Sequence, residues 1–270
     1  CHFVQLRVCS QLLRLGHANK TLIFTTLLLL IPSNFSGWLK FVTLALGWYI
    51  WINVMTNWIL CAFTSNSYKA SKNLTGSHES STKHCAVCQH DIPPRAHHCQ
   101  VCQQCVLKRD HHCVFIGNCV GYYNHKSFLV LLFWVAWGNV YITLNLLIYF
   151  ASINGILFSW NHILPVAFVR YWYGSVPGDQ LLLILMLYLS VCKLLSCYFM
   201  YAWQFTITCE GQVTYEALNN ISVYDCGLTN NLKTVFGDNW VLRFIIPLPC
   251  QMPGNGRDWK MGKNKTQKMV

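Results

Sequence analysis

Three long apolar runs constrain this chain more than anything else in it. Trp38 to Phe63 carries one charge, Lys40; Phe128 to Trp160 carries none; Gln180 to Thr208 carries one, Lys193. A helix needs about 20 apolar residues to cross the hydrocarbon core of a bilayer, and each run exceeds that. A fourth run, Thr21 to Ile31, is cut short by Pro32. It reaches full length only by borrowing Leu12 to His17 despite Arg14 and Lys20. The expected fold is an all-α membrane protein of about four transmembrane helices, the first short or truncated. Composition agrees: 11% of the residues are charged, against about 25% in soluble domains.

The net charge of +11 does not imply nucleic acid, because Lys and Arg gather on the cytoplasmic side of membrane proteins. No nucleic-acid partner is expected; membrane lipids are. Lys69, Lys72, Lys83, Arg95, Lys108, Arg109 and Lys126 fall between Thr64 and Ser127, and seven more basic residues follow Thr208. The turn near Pro32 to Lys40 and the loop from Asn161 to Asp179 hold one each, Lys40 and Arg170. This asymmetry places the loop and the tail in the cytosol. The expected layout is 1–63 for the first two spans, 64–127 for a cytosolic cysteine-rich domain, 128–208 for the third and fourth spans with a lumenal loop, and 209–270 for a cytosolic tail. Trp and Tyr at the span ends suit an interfacial belt. Asn73-Leu74-Thr75 and Asn220-Ile221-Ser222 fit the glycosylation pattern but should stay unmodified in the cytosol. The end, Gly254 to Val270, is polar and basic and is expected to be disordered. No internal repeat is evident. The chain opens on Cys1 with no apolar core leading to a cleavage site, so a cleavable signal peptide is not expected and a start further upstream is.

Of 15 cysteines, seven fall between Cys85 and Cys119. Cys85-x2-Cys88 and Cys99-x2-Cys102 are knuckles that place two thiolates on one turn, the spacing for tetrahedral Zn²⁺. His98, Cys105, His111, His112, Cys113 and Cys119 follow within the same stretch. Two zincs need eight ligands. Seven cysteines with one histidine would supply them, and so would six cysteines with two histidines; spacing leaves both open. In an extended segment alternate residues share a face, so His111 and Cys113 can point one way and His112 the other. His111 beside Cys113 can activate a thiol, with Asp110 orienting the imidazole. A structural role for all of them is the competing reading.

The run from residue 85 to 128, with Asp110-His111-His112-Cys113, Asn124 and Phe128, resembles the DHHC palmitoyltransferases without a gap. The resemblance implies two structural zincs, one on Cys85, Cys88, His98 and Cys105 and the other on Cys99, Cys102, His112 and Cys119. It implies Cys113 as the acylated nucleophile, His111 as its base and Asp110 as the orienting carboxylate. It implies acyl-CoA, such as palmitoyl-CoA, as co-substrate, and a ping-pong transfer to protein cysteines near the membrane. Four spans, with the zinc domain between the second and third, fit the same family. Arg95, Lys108 and Arg109 could meet CoA phosphates or anionic headgroups. In the tail, Val213-Thr214-Tyr215-Glu216 matches the family's Thr-Thr-x-Glu except at its first residue. The usual Asp-Pro-Gly is absent, and Thr64-Ser65-Asn66-Ser67 stands nearby. The tail with Pro247-Leu248-Pro249 resembles the subfamily numbered twenty-four in mammals. An endomembrane location, endoplasmic reticulum or Golgi, is expected, with the active site facing the cytosol. The rival readings are a catalytically inactive zinc scaffold in the membrane and, with less support, a transporter with a metal sensor. Lys193 stays open between a functional site and a snorkelling side chain.

Overall fold

The computed structural model describes residues 34–69, 83–154, 159–238, 240–246 and 254–262. The expected short span Thr21 to Ile31, the Asn73 tripeptide and Pro247-Leu248-Pro249 lie outside these. Three described helices are long and apolar enough to cross a membrane: α1 (Gly37–Phe63), α2 (His125–Asn154) and, after a short helix α3 (Leu164–Trp172), α4 (Gly178–Cys209). Lipid offers the backbone no hydrogen-bond partners, so a spanning segment must satisfy its own N–H and C=O groups. α2 is described to Asn154, and Trp160 belongs instead to a 3-10 turn, Trp160–His162. The stretch expected as a plain lumenal loop thus holds two short helical pieces. Nine residues with Pro165 in the first turn are too few for periodicity to declare them.

The chain packs as two compact units interleaved in sequence. One takes the described part of Leu13–Met55 and Leu132–Met200. Here polar groups tie apolar helices together. Tyr141 Oη donates to the Thr43 carbonyl at 2.8 Å, Asn34 Nδ2 to the Asn145 carbonyl at 2.9 Å, and the Thr143 and Ser190 hydroxyls meet at 2.9 Å. Between helices in lipid such bonds contribute about 0.5–2 kcal/mol each. Ile142, Leu146, Phe150 and Ile184 are buried around them, with His162 packed on Phe150.

The other unit takes Thr56–Leu131 and the chain from Tyr201 onward. Between α1 and α2 stand three antiparallel hairpins: β1 (Lys83–Cys85) with β2 (His90–Ile92), β3 (His97–Cys99) with β4 (Gln104–Val106), and β5 (His111–Cys113) with β6 (Asn118–Val120). The fold is therefore mostly helical rather than all-α. The three hairpins recur every 14 residues, so the expectation of no internal repeat is corrected. Cys85, Cys99 and Cys113 end the first strands and pair with His90, Gln104 and Asn118. Gln89, Gln103 and Gly117 turn with positive φ of 54°, 55° and 66°. Their N–H groups donate to the carbonyls of Cys85, Cys99 and Cys113.

The third hairpin is fixed to the end of α1. Asn118 Nδ2 reaches the carbonyls of Cys61, Ala62 and Thr64, which have no partner within the helix. Asn124 Nδ2 bonds the Cys61 and Cys119 carbonyls at 3.0 and 2.9 Å. Past α4 the chain turns at Gly211, φ 71°, where a Cβ would lie 2.8 Å from Asn231 Oδ1 and from the Tyr224 carbonyl. Short helices α5 (Thr214–Leu218), α6 (Leu228–Phe236) and α7 (Trp240–Ile245) follow. The expectation of a disordered end is corrected for 254–262. Trp259 packs against the core that holds Tyr122 and Cys85, and Gly262 N–H donates to the Val223 carbonyl at 2.9 Å. One aromatic ring anchors a segment whose average composition reads as solvated.

Candidate active site and zinc clusters

The repeat explains how the metal ligands come together. Cys85, Cys88, His98 and Cys105 gather in one cluster, and Cys99, Cys102, His112 and Cys119 in another; within each, the ligand atoms lie within 4.8 Å of one another. Each cluster joins the knuckle of one hairpin to a cross-strand pair of the next, His98 opposite Cys105 or His112 opposite Cys119. Cys88 Sγ lies 3.2 Å from His98 Nδ1, and Cys102 Sγ 3.2 Å from His112 Nδ1. The N–H groups of Cys88 and Cys102 point at Cys85 Sγ and Cys99 Sγ, each at 3.4 Å, and the Cys88 N–H lowers the Cys85 thiol from its ordinary value. Three thiolates and one imidazole complete a tetrahedral Zn²⁺ and leave no position for water, so both clusters suit structural zinc.

The ends of the repeat are chemically different. In the first hairpin His84 has no preceding knuckle; it pairs instead with Asp91 at 2.9 Å, the residue standing where Cys105 and Cys119 stand in the others. In the third hairpin no later hairpin delivers a histidine to Cys113, and Ile116 stands where a knuckle would have its second cysteine. Cys113 is buried and belongs to neither cluster.

Asp110 sits just before β5 and is held from four directions. His111 Nδ1 lies 2.6 Å from Oδ2, and Gln204 Nε2 donates to Oδ2 at 2.9 Å. Thr214 donates its N–H to Oδ1 at 2.6 Å and its hydroxyl to Oδ2 at 3.0 Å. Burial pushes the carboxyl up, but the His111 bond, the neighbouring imidazoles and the Thr214 N–H outweigh it and hold the group well below the usual carboxylate range. Burial also opposes charge on His111, yet its bonds to Asp110 and Cys113 prevail and carry the imidazole up to about 9. With Nδ1 given to Asp110, Nε2 is the nitrogen left for Cys113. The Phe128 ring packs edge-to-face with His111, ring centres 5.3 Å apart. The set can hold a proton between a thiol and an imidazole while keeping the imidazolium paired.

Beneath it lies a buried ion pair. Arg95 Nε and Nη2 meet the two carboxylate oxygens of Glu216 at 2.8 and 2.6 Å, and Nη2 also donates to the Gly211 carbonyl. The guanidinium is stacked between Tyr224 and Trp259, at 4.4 and 4.6 Å from the ring centres. Lys108 is buried with its ammonium 5.3 Å from the centre of the Trp259 ring. Burial first, and then the Arg95 charge, press it down to about 7. Of the three basic residues expected to face CoA phosphates, the structure thus buries Arg95 and Lys108 and leaves Arg109 half-buried.

Sequence reasoning missed Gln204 and Trp259. Gln204 is a lone amide in the last turns of an apolar helix, and Trp259 a lone aromatic in a basic tail; both were visible only as exceptions to their surroundings. Glu216 was noted as a motif residue, without its partner.

A family model described as DHHC palmitoyltransferase matches residues 78–221. The chain belongs to that family. It is 30% identical over 129 residues to "Palmitoyltransferase ZDHHC22" of Rattus norvegicus, covering 46% of this chain and 49% of the relative. It is also 30% identical over 219 residues to "Probable palmitoyltransferase ZDHHC24" of Mus musculus, covering 79% of this chain and 76% of the relative. The alignment thus spans about half the length of the rat protein.

Proposed function

We propose that this chain is a protein S-palmitoyltransferase that works through an acyl-enzyme on Cys113. The observation that carries the reading is the Asp110–His111–Cys113 set, which lies at the end of the zinc repeat with a thiol that neither cluster takes up. In the first half-reaction His111 takes the Cys113 proton. The thiolate attacks the acyl-CoA thioester, the bond to the CoA sulfur breaks, and CoA leaves with the proton from His111. In the second, His111 takes the proton of a substrate cysteine, whose sulfur attacks the acyl-enzyme; the bond to Cys113 breaks and His111 returns the proton to the Cys113 sulfur. Zinc supplies no chemistry here; it fixes the hairpins. Asp110 keeps the imidazole oriented through both steps.

The proposed layout keeps 64–127 and 209–270 cytosolic, where CoA and protein cysteines arrive, with the acyl chain held among the spans. Arg109 is the proposed phosphate contact; Arg95 is committed to Glu216, and Lys108 is buried against Trp259. Substrates would be proteins with cysteines near the membrane of the endoplasmic reticulum or Golgi. A zinc scaffold without activity has no use for an imidazole held 2.6 Å from a carboxylate beside a free thiol. The test is acyl exchange on the purified protein incubated with palmitoyl-CoA. Wild-type protein should carry a hydroxylamine-labile acyl group and Cys113→Ala none. Equal labelling of the two would defeat the proposal.

A further inference from the structure

Helix α4 carries one cation, and the site does not use it. Lys193 stands 15 residues after Gly178 and 16 before Cys209. At about 1.5 Å per residue, more than 20 Å of helix lies on either side. Each arm exceeds half of a hydrocarbon core about 30 Å thick, so the ammonium sits near mid-membrane. A lysine at that depth costs about 3 kcal/mol on insertion scales. Snorkelling carries the charge to the interface for lysines near helix ends and relieves a central lysine only in part.

The chain offers it no counter-charge. Of the nine Asp and Glu residues in the whole sequence, only Asp179 falls within α1, α2 or α4, and residues 1–33 contain none. Asp179 is 14 residues away, about 21 Å along the axis. A second copy of this chain cannot help either, because it would set lysine against lysine. Lipid phosphates lie beyond reach in the headgroup layer.

Among the described residues, the surroundings of Lys193 are those of an uncovered face. Leu189, Ser196 and Met200, at i−4, i+3 and i+7, share its stripe and are exposed. From Val191 to Met200 no residue is buried, whereas Leu181, Ile184, Leu187 and Ser190 are. Ser196 turns its hydroxyl back to the Cys192 carbonyl at 2.8 Å. It therefore presents a small surface on which another helix can approach closely.

We propose that this stripe docks a transmembrane helix of a different protein, one that carries a single Asp or Glu at mid-membrane depth. The inference is independent of the transferase reading.

The test uses the full chain in vesicles with synthetic polyleucine transmembrane peptides bearing a central Asp, Asn or Leu, and reads association by energy transfer. The Asp peptide should associate on the order of tenfold more tightly than the Leu peptide, corresponding to about 1.4 kcal/mol. Lys193→Leu should lose that preference while keeping zinc and Cys113 acylation, which shows that it is folded. Lys193→Asp should reverse the preference, favouring a peptide with a central Lys. Equal association of Asp and Leu peptides with wild-type protein would overturn the proposal. So would an Asn peptide as tight as the Asp peptide, or an Asp peptide that binds Lys193→Leu undiminished.

Discussion

Cys113 occupies in the third hairpin the position that Cys99 occupies in the second: each ends its first strand, and each carbonyl accepts the N–H of the residue four further on, Gly117 or Gln103. What separates them is the next hairpin. Cys99 is followed by one that brings His112 and Cys119 to it; Cys113 is followed by helix α2.

That contrast fixes the first prediction. Cys113→Ala should abolish the acyl-enzyme and leave two zinc ions per chain. Cys99→Ala should reduce zinc from two to about one, because metal binding is folding energy in such modules. It should also open residues 97–120 to protease. Elemental analysis beside acyl labelling reads both. Loss of zinc in Cys113→Ala would make Cys113 a ligand and favour the scaffold reading.

His111 and His112 are sequence neighbours on opposite faces of β5, one bonded to Asp110 and one in the second cluster. His111→Ala should keep both zincs and slow acylation by about 10²–10⁴-fold, the usual contribution of a general base. His112→Ala should behave like Cys99→Ala. A reversed pattern, metal lost with His111 and kept with His112, would invert the faces.

The Arg95–Glu216 pair joins the hairpin region to α5 through a buried, two-point contact. Removing one partner leaves a buried charge uncompensated, which costs about 3–5 kcal/mol. Glu216→Ala should therefore lower the thermal midpoint of the purified protein sharply. Replacing both residues, Arg95→Met with Glu216→Leu, should recover most of the loss, since two apolar side chains leave no orphan charge. Equal damage from the single and double variants would indicate that the contact serves something other than charge balance.

How far the sequence carried differs between the parts. Span length alone marked α1, α2 and α4, because long uncharged runs have few other uses. The two Cys-x2-Cys knuckles were legible from spacing, the full ligand sets only through the family resemblance, and the opposite faces of His111 and His112 from strand alternation. The 14-residue repeat was hidden because its outer copies are altered where they have no neighbour: Asp91 replaces a ligand cysteine and Ile116 another. Gln204 and Trp259 were hidden for a different reason. Their partners, Asp110 and Arg95, are 94 and 164 residues away, and local patterning cannot report such pairs.

Lys108 gives a prediction in which two effects oppose. Its contact with Trp259 is a cation–π interaction contributing about 0.5–2 kcal/mol. Burial and the Arg95 charge act against the ammonium and lower it from 10.5 to about 7, so the opposing effects win. The sign follows from proton counting. Between about pH 7 and 10.5 the unfolded chain keeps this proton and the folded one has released it, so this group makes stability rise with pH across that window. Below about pH 7 both states hold the proton and the penalty is constant. Lys108→Met, similar in length and without the charge, should raise the thermal midpoint by a few degrees at pH 7. The advantage over wild type should shrink steadily as pH is raised towards 10. Taking the difference between the two proteins cancels every other group that titrates in the range. A gap independent of pH would mean that folding leaves this lysine's proton affinity unchanged, and a variant less stable than wild type at pH 7 would mean that the contact with Trp259 outweighs burial.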